Sequence, residues 1–248
     1  EMVSAQYSYA KGSPLLTFDQ QSKYLCGTFP LTIANISYLD EVERLRMFFP
    51  KADKRVAISF FKVNDNKEVR IIPSIIKDKV RAIKNFPLTE QVSILIYASK
   101  QMFDKWLTDI TVLEMKKEVV FHLFLPEESS NQSTNNIKYY KHGDPKFIER
   151  LADCHGIITT AGHMLLSEAM YLEKPVYAIP LPLYEQQMNA KVIHDNGFGL
   201  TANKIDTINL NKFIENSSYY KQNIINDTTI LEKGVGNDYI IKEIQTFL

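Results

Sequence analysis

Residues 151–190 read LADCHGIITTAGHMLLSEAMYLEKPVYAIPLPLYEQQMNA, and they hold most of the groups in the chain with a recognisable chemical use. An apolar strand pattern, GIITTA at 156–161, runs straight into Gly162 and His163, where a helical pattern starts with no intervening loop. The first N–H groups of such a helix lack intrahelical acceptors and carry the positive end of the helix dipole. Glycine at the turn removes the Cβ that would keep phosphate oxygens off the backbone. That chemistry suits a diphosphate, although one glycine serves equally well in a turn that only needs freedom to bend. Glu168 interrupts the apolar run MLLSEAM. A carboxylate there needs a partner, either the vicinal hydroxyls of a ribose, as in other nucleotide-binding α/β folds, or solvent and helix N–H groups. Past the next strand, Pro180 and Pro182 precede Glu185, Gln186, Gln187 and Asn189. Their acceptors and amide donors match the hydroxyl pattern of a sugar, and they also fit an ordinary polar helix start.

These groups must be positioned by a succession of short apolar runs and longer helical patterns. Strands are predicted at 92–98, 119–125, 137–140, 156–161 and 175–181, with helices at 100–110, 145–154, 163–173, 185–196 and 210–216. That alternation predicts a mostly parallel sheet whose ligand lies beyond the carboxyl ends of its strands. The first 75 residues differ. PLLTF at 14–18 reads as a strand ending in the polar turn Asp19, Gln20 and Gln21, and RVAISFFKV and VRIIPSI read as paired strands around the turn VNDNKE. A boundary is expected near Pro73, followed by a helix over SIIKDKVRAIKN, and EESSNQSTNN at 127–136 reads as a surface loop. The expected division is thus 1–75 and 76–248.

Bulk properties exclude several classes. With 248 residues, 45% apolar, and 29 basic side chains balancing 29 acidic ones, the composition is that of an ordinary globular protein and gives no reason to expect a nucleic-acid partner. Cys26 and Cys154 stand far apart, without metal-site spacing, and read as reduced thiols of a cytosolic protein. Apolar runs such as VYAIPLPL fall short of the roughly 18 residues of a membrane span. The chain opens at Glu1 inside polar and aromatic sequence, as a chain that begins mid-protein would. His122, on an apolar strand, reads as a core residue, and Trp106, Phe60–Phe61 and Tyr139–Tyr140 as core or cleft-wall aromatics.

The combination of an ITTAG turn, a Ser-Glu-Ala helix, a Lys-Pro strand and an EQxxNA segment resembles the donor-binding signature of GT-B glycosyltransferases. It is similar to the enzyme family that adds N-acetylglucosamine to the lipid-linked peptidoglycan precursor, and to related bacterial and archaeal glycosyltransferase-like proteins. The resemblance covers residues 137–200. It implies a GT-B α/β fold, with a Rossmann-like C-terminal domain and the end of a truncated N-terminal domain. It places the diphosphate at Gly162 and His163, the ribose at Glu168, the donor sugar at Glu185, Gln186 and Asn189, and the base at the turn His142, Gly143 and Asp144. KGSPLLTFDQQ resembles the acceptor-facing turn, so Asp19, Gln20 and Gln21 would line the acceptor side. Leu165 stands where the peptidoglycan enzyme has a hydroxyl residue, which removes one phosphate contact.

The implied reaction moves a sugar from a nucleoside diphosphate sugar, expected to be UDP-linked, to an acceptor hydroxyl. The helix start would offset charge on the leaving diphosphate. No carboxylate motif demands a metal, and no cofactor is expected beyond the nucleotide-sugar co-substrate. The main base belongs to a region outside this chain in the resembled family, leaving Asp19 as the in-chain candidate. A carbohydrate or lipid-linked acceptor in cell-envelope synthesis implies a cytoplasmic protein touching the inner membrane face. Two other readings fit the same fold: a catalytically silent nucleotide-sugar-binding protein, and a nucleotide-sugar epimerase.

Overall fold

The computed structural model describes residues 2–83, 87–98, 102, 105–106, 111–126 and 134–248. The chain forms two compact units, one of residues 1–76, 182–188 and 229–248, the other of residues 77–181 and 189–228.

In the first unit, helix α1 (Met2–Lys11) leads to strand β1 (Leu16–Asp19) and a single 3₁₀ turn, Ser22–Leu25. A short hairpin of β2 (Thr32–Ile33) and β3 (Ile36–Ser37) follows, then helix α2 (Tyr38–Phe48) and strands β4 (Lys54–Ser59) and β5 (Val69–Pro73). Ala34 and Asn35 both have positive φ, 47° and 63°, as a two-residue hairpin loop requires. Ser37 caps α2 by accepting from the Asp40 N–H at 3.4 Å, and Asp40 and Glu41 place negative charge at its positive end. The strands form a parallel sheet in the order β1-β4-β5. Alternation along β4 sends Val56 and Ile58 into one cluster with Ile72, and Ala57 into another with Cys26 and Val69.

The β4–β5 pair corrects the sequence reading in one respect. The two strands do pair, but in parallel, with Arg55 opposite Val69 and Ser59 opposite Pro73, so residues 60–68 cross back along the strand instead of making a tight turn. Such connections usually take a dozen residues or more. Here an extended segment reaches roughly 30 Å, enough to return along a strand of about 20 Å. Phe60 and Phe61 are buried in it. Phe61 bridges Leu231 in antiparallel fashion, and the Lys62 N–H donates to Ile230 O at 2.7 Å.

The C-terminal helix, Asn237–Phe247, also belongs to this unit. Asn237 accepts from the Ile76 N–H through Oδ1 and donates to Ile76 O through Nδ2, both at 3.1 Å. The Gly236 N–H donates to Ser74 O at 2.9 Å. These bonds hold residues 74–76 extended, which is why the helix expected from residue 74 begins only at α3 (Asp78–Ala82).

The second unit carries α3, then β6 (Ser93–Tyr97), α4 (Thr111–Glu114), β7 (Val120–Leu125), β8 (Ile137–Lys141), α5 (Lys146–Asp153), β9 (Gly156–Thr159), α6 (His163–Tyr171) and β10 (Val176–Ala178). Helix α7 (Tyr184–Asp195) starts among first-unit residues and ends among second-unit ones, and β11 (Gly199–Thr201), α8 (Thr207–Glu215) and α9 (Ser217–Asn226) follow. All six strands are parallel, in the order β11-β10-β9-β6-β7-β8. Ile94, Ile96, Phe121, Leu123, Ile158 and Tyr177 lie in one buried cluster. Strand β9 is buried at every position, as a strand covered on both faces must be. The five strands and the last four helices read from the sequence of this unit form where expected. Most of the expected helix at 100–110, and positions 127–133 of the expected loop, lie outside the described residues.

His122 is a core residue: it is 5% exposed, its Nδ1 lies 3.2 Å from the Tyr140 hydroxyl, and burial pushes its imidazole down to about 4. Cys26 and Cys154 are buried free thiols. Among the described residues, no helix is long and apolar enough to cross a membrane.

Candidate functional site

From β6 the chain adds β7 and β8 on one side, then returns to lay β9, β10 and β11 on the other. The sheet therefore reverses direction between β6 and β9, and in open parallel sheets the crevice beyond the carboxyl ends at that reversal is where ligands bind. The turn after β9 is Thr160, Ala161 and Gly162. Gly162 has ordinary backbone angles, φ −65° and ψ 136°, and as the N-cap of the helix it opens it has no side chain to cap it. The first bond of α6 runs from the Leu166 N–H to Gly162 O at 3.1 Å, so the amides before Leu166 have no acceptor within the helix.

Conformational freedom does not explain Gly162, because any residue adopts its φ. Packing does not explain it either: a Cβ built there would meet only Thr160 Oγ1, at 3.9 Å. The missing side chain leaves room on the outside of the helix start, beside its first amides. The strained backbone sits one residue earlier, at the fully buried Ala161, with φ +66°.

Several residues named from the sequence gather around this turn. His163 is 2% exposed; Ser167 Oγ donates to His163 O at 2.8 Å and lies 3.3 Å from His163 Nδ1, so the imidazole is packed into the first turn of α6. Glu168 is 2% exposed, and its Oε1 lies 3.0 Å from the ammonium of Lys77, itself 59% exposed. The carboxylate in the apolar run thus has a cation for a partner. Asn189, on α7, is fully buried and donates through Nδ2 to Ala161 O at 3.0 Å, which places it beneath the turn.

His142, Gly143 and Asp144 follow β8, three strands from β9, or about 14 Å at usual strand spacing. An extended nucleotide spans that separation. The His142 ring stacks on Tyr97 with centroids 4.3 Å apart and planes 8° from parallel, and its Nε2 lies 2.9 Å from Phe124 O. Gly143 is exposed with φ +85°, and Asp144 Oδ1 accepts from the Lys146 N–H at 2.8 Å to start α5. Tyr97 was missed in the sequence; the available signal was an aromatic residue at the end of the strand where the sheet reverses.

The remaining named residues lie in the first unit. Asp19 Oδ1 accepts from the N–H groups of Gln21 and Ser22 at 2.8 and 2.5 Å, and Oδ2 accepts from Ser22 Oγ at 2.7 Å. Both carboxylate oxygens are thereby used to start the 3₁₀ turn. Gln20 is half-buried. Gln21 Nε2 donates to Glu185 Oε2 at 3.3 Å, and Glu185 is 8% exposed. Gln186, next on α7, is half-buried. Sequence reasoning also missed Lys23, because nothing in SKYL marks its lysine for burial. It is fully buried without a hydrogen-bond partner among the described residues, and its ammonium lies 5.0 Å from the centroid of the Phe61 ring and 5.3 Å from that of Tyr24. Burial pushes it down to about 8, against the pull of Glu185, Asp19 and Glu41.

Comparison with known proteins agrees with this architecture. Three solved structures illustrate the likeness. The spinosyn rhamnosyltransferase SpnG complexed with thymidine diphosphate aligns with a TM-score of 0.62 and 12% identity, over 90% of this chain and 65% of its own. Phytolacca americana UGT2 complexed with UDP-2-fluoro-glucose and pterostilbene aligns at 0.61 and 10%, over 98% of this chain and 72% of its own. The Streptomyces nogalater glycosyltransferase SnogD aligns at 0.54 and 13%, over 99% and 76%. The chain therefore spans just under two thirds of the rhamnosyltransferase. No curated protein sequence matches it. Residues 1–217 match the family model described as glycosyl transferase family 1. The fold is of the GT-B type, and the chain belongs to glycosyl transferase family 1.

Proposed function

We propose that the chain binds a nucleoside diphosphate sugar and that the protein it belongs to transfers the sugar to an acceptor hydroxyl. One observation carries this reading: Gly162 is required by neither its own backbone nor its neighbours, so the space it leaves at the start of α6 is space for something from outside the chain. A diphosphate fits the charge and the donors. The same amides would stabilise negative charge on the departing diphosphate, an interaction that strengthens as the bond to the sugar breaks.

In this reading Glu168 accepts from the ribose hydroxyls, with Lys77 as its counter-charge. The turn His142–Asp144 with Tyr97 holds the base, and Glu185 and Gln186 meet the sugar. Asp19 organises Gln21, which in turn bonds Glu185. The resemblance in the donor segment favours a UDP-linked sugar and a carbohydrate or lipid-linked acceptor, reached at the cytoplasmic membrane face. Complexes of the structural neighbours with thymidine diphosphate and with UDP-2-fluoro-glucose support a nucleoside diphosphate as ligand.

A second reading, a nucleotide-sugar-binding protein without catalysis, draws on Asp19: both oxygens of the in-chain candidate base are spent on the turn. One experiment addresses both. Thermal unfolding is followed with UDP, GDP and dTDP at about 100 times their dissociation constants, where a ligand specific for the folded form adds about 2.7 kcal/mol. For a chain of this size that raises the melting temperature by roughly 5 to 10 °C. No response to any of the three removes both readings. Protection by UDP without nucleotide release from UDP-glucose or UDP-N-acetylglucosamine, across a panel of carbohydrate and lipid acceptors, favours the second.

A further inference from the structure

We infer that Asn189 is a positioning residue for the diphosphate turn, a latch that aims the Gly162 amide outward, and not a group that touches the sugar. This rests on the nucleotide-binding reading above and gives a different role to a residue that the EQxxNA resemblance assigns to the sugar. The argument starts at Ala161. A residue with a Cβ at φ +66° occupies a region that costs energy and persists only where its surroundings enforce it. The carbonyl that follows this strained residue is held by a hydrogen bond from Asn189 Nδ2 to Ala161 O, 3.0 Å long, between two residues with no exposed surface.

That bond fixes more than one carbonyl. In a trans peptide the C=O of one residue and the N–H of the next point to opposite sides of the chain, and the described residues include no cis peptide bond. Drawing Ala161 O inward toward α7 therefore turns the Gly162 N–H outward, where it finds no partner among the described residues. If this one peptide flipped, the donor would be buried and a carbonyl oxygen would face the phosphate. Asn189 also carries a cost that packing alone would avoid: its Oδ1 is buried without a hydrogen-bond partner among the described residues. Leucine has the same branched outline and no polar atom to leave unsatisfied, so the amide is retained for its donor.

The test uses Asn189→Leu, with Asn189→Asp as a second variant of native size, and Ala161→Gly added to each. Melting temperature reports folding, calorimetry with UDP reports binding, and the Gly162 amide resonance of the ligand-free chain reports the turn. The expected result for Asn189→Leu is an unchanged or higher melting temperature, a UDP dissociation constant raised on the order of tenfold or more, and exchange broadening confined to residues 160–163. Ala161→Gly removes the Cβ penalty and should recover part of the lost affinity. A direct contact between Asn189 and the sugar would instead leave UDP binding intact and weaken only the sugar-bearing donor, with no rescue by glycine; that pattern overturns the latch. Should the wild-type chain bind neither UDP nor dTDP, the nucleotide reading fails by itself, and an undisturbed Gly162 resonance in both variants would sink the latch independently.

Discussion

Replacing Gly162 with alanine separates a glycine kept for folding from one kept for a ligand. The new methyl group would lie 3.9 Å from Thr160 Oγ1, an ordinary contact, at a φ of −65° that alanine adopts freely. The folding cost is then limited to the difference between glycine and alanine at a helix N-cap, about 0.5 to 1 kcal/mol, or a fall of a few degrees in melting temperature. Gly199→Ala is the contrasting control, because its Cβ would sit 1.8 Å from the backbone oxygen of Val176; that variant should fail to accumulate as folded protein. For UDP, the Gly162 methyl group occupies the approach to the helix amides. Losing one hydrogen bond to a charged phosphate costs about 1.5 to 3 kcal/mol, so the dissociation constant should rise roughly 10- to 150-fold. Isothermal calorimetry on both proteins, with circular dichroism melts as the folding check, measures the two effects separately. An alanine variant that melts normally and binds UDP like the wild type would refute the reasoning.

Glu168→Ala should weaken UDP binding by about 1 to 3 kcal/mol if the carboxylate accepts from ribose hydroxyls; calorimetry that finds the affinity unchanged removes that role. Lys23 predicts a pH effect on stability. Its folded value is about 8 against an ordinary 10.5, so between those two pH values the unfolded chain holds a proton that the folded chain has released. Folding stability therefore rises with pH across that window, by about 3 kcal/mol for 2.5 pH units. Lys23→Met, which cannot titrate, should lack this rise, and urea unfolding midpoints of the two proteins at pH 7, 8.5 and 10 should converge accordingly. Parallel curves would show that the ammonium is better solvated than its burial indicates.

The second unit was legible because its physics is local. Strands buried on both faces must be apolar throughout, so GIITTA and VVFHLFL announce themselves, and the strand-to-helix turn at Gly162 follows from where one pattern stops and the next begins. The first unit gave weaker signals. Helix α2 buries only Glu41 and Leu45 among its residues, too few for an apolar stripe, and α1 exposes Val3, Tyr7 and Tyr9, so neither presents a helical period. Alternation in β4 and β5 identified both as strands but carries no information on direction, and the connection between them is bonded to the distant Leu231 and Ile230. Within the site, residue types were legible and their contacts were not. The bonds Asn189 to Ala161 and Gln21 to Glu185 join positions 28 and 164 residues apart, and no local pattern specifies them.

The stretch from Thr229 onward completes a unit whose strands all lie in the first 73 residues. Asn237 and Gly236 grip residues 74–76, and Leu231 closes over Phe61. During vectorial synthesis these partners leave the ribosome after every residue of the second unit. The six-stranded unit has all its residues once position 228 has emerged, so it can finish folding before the three-stranded unit, which waits for residues 229–248.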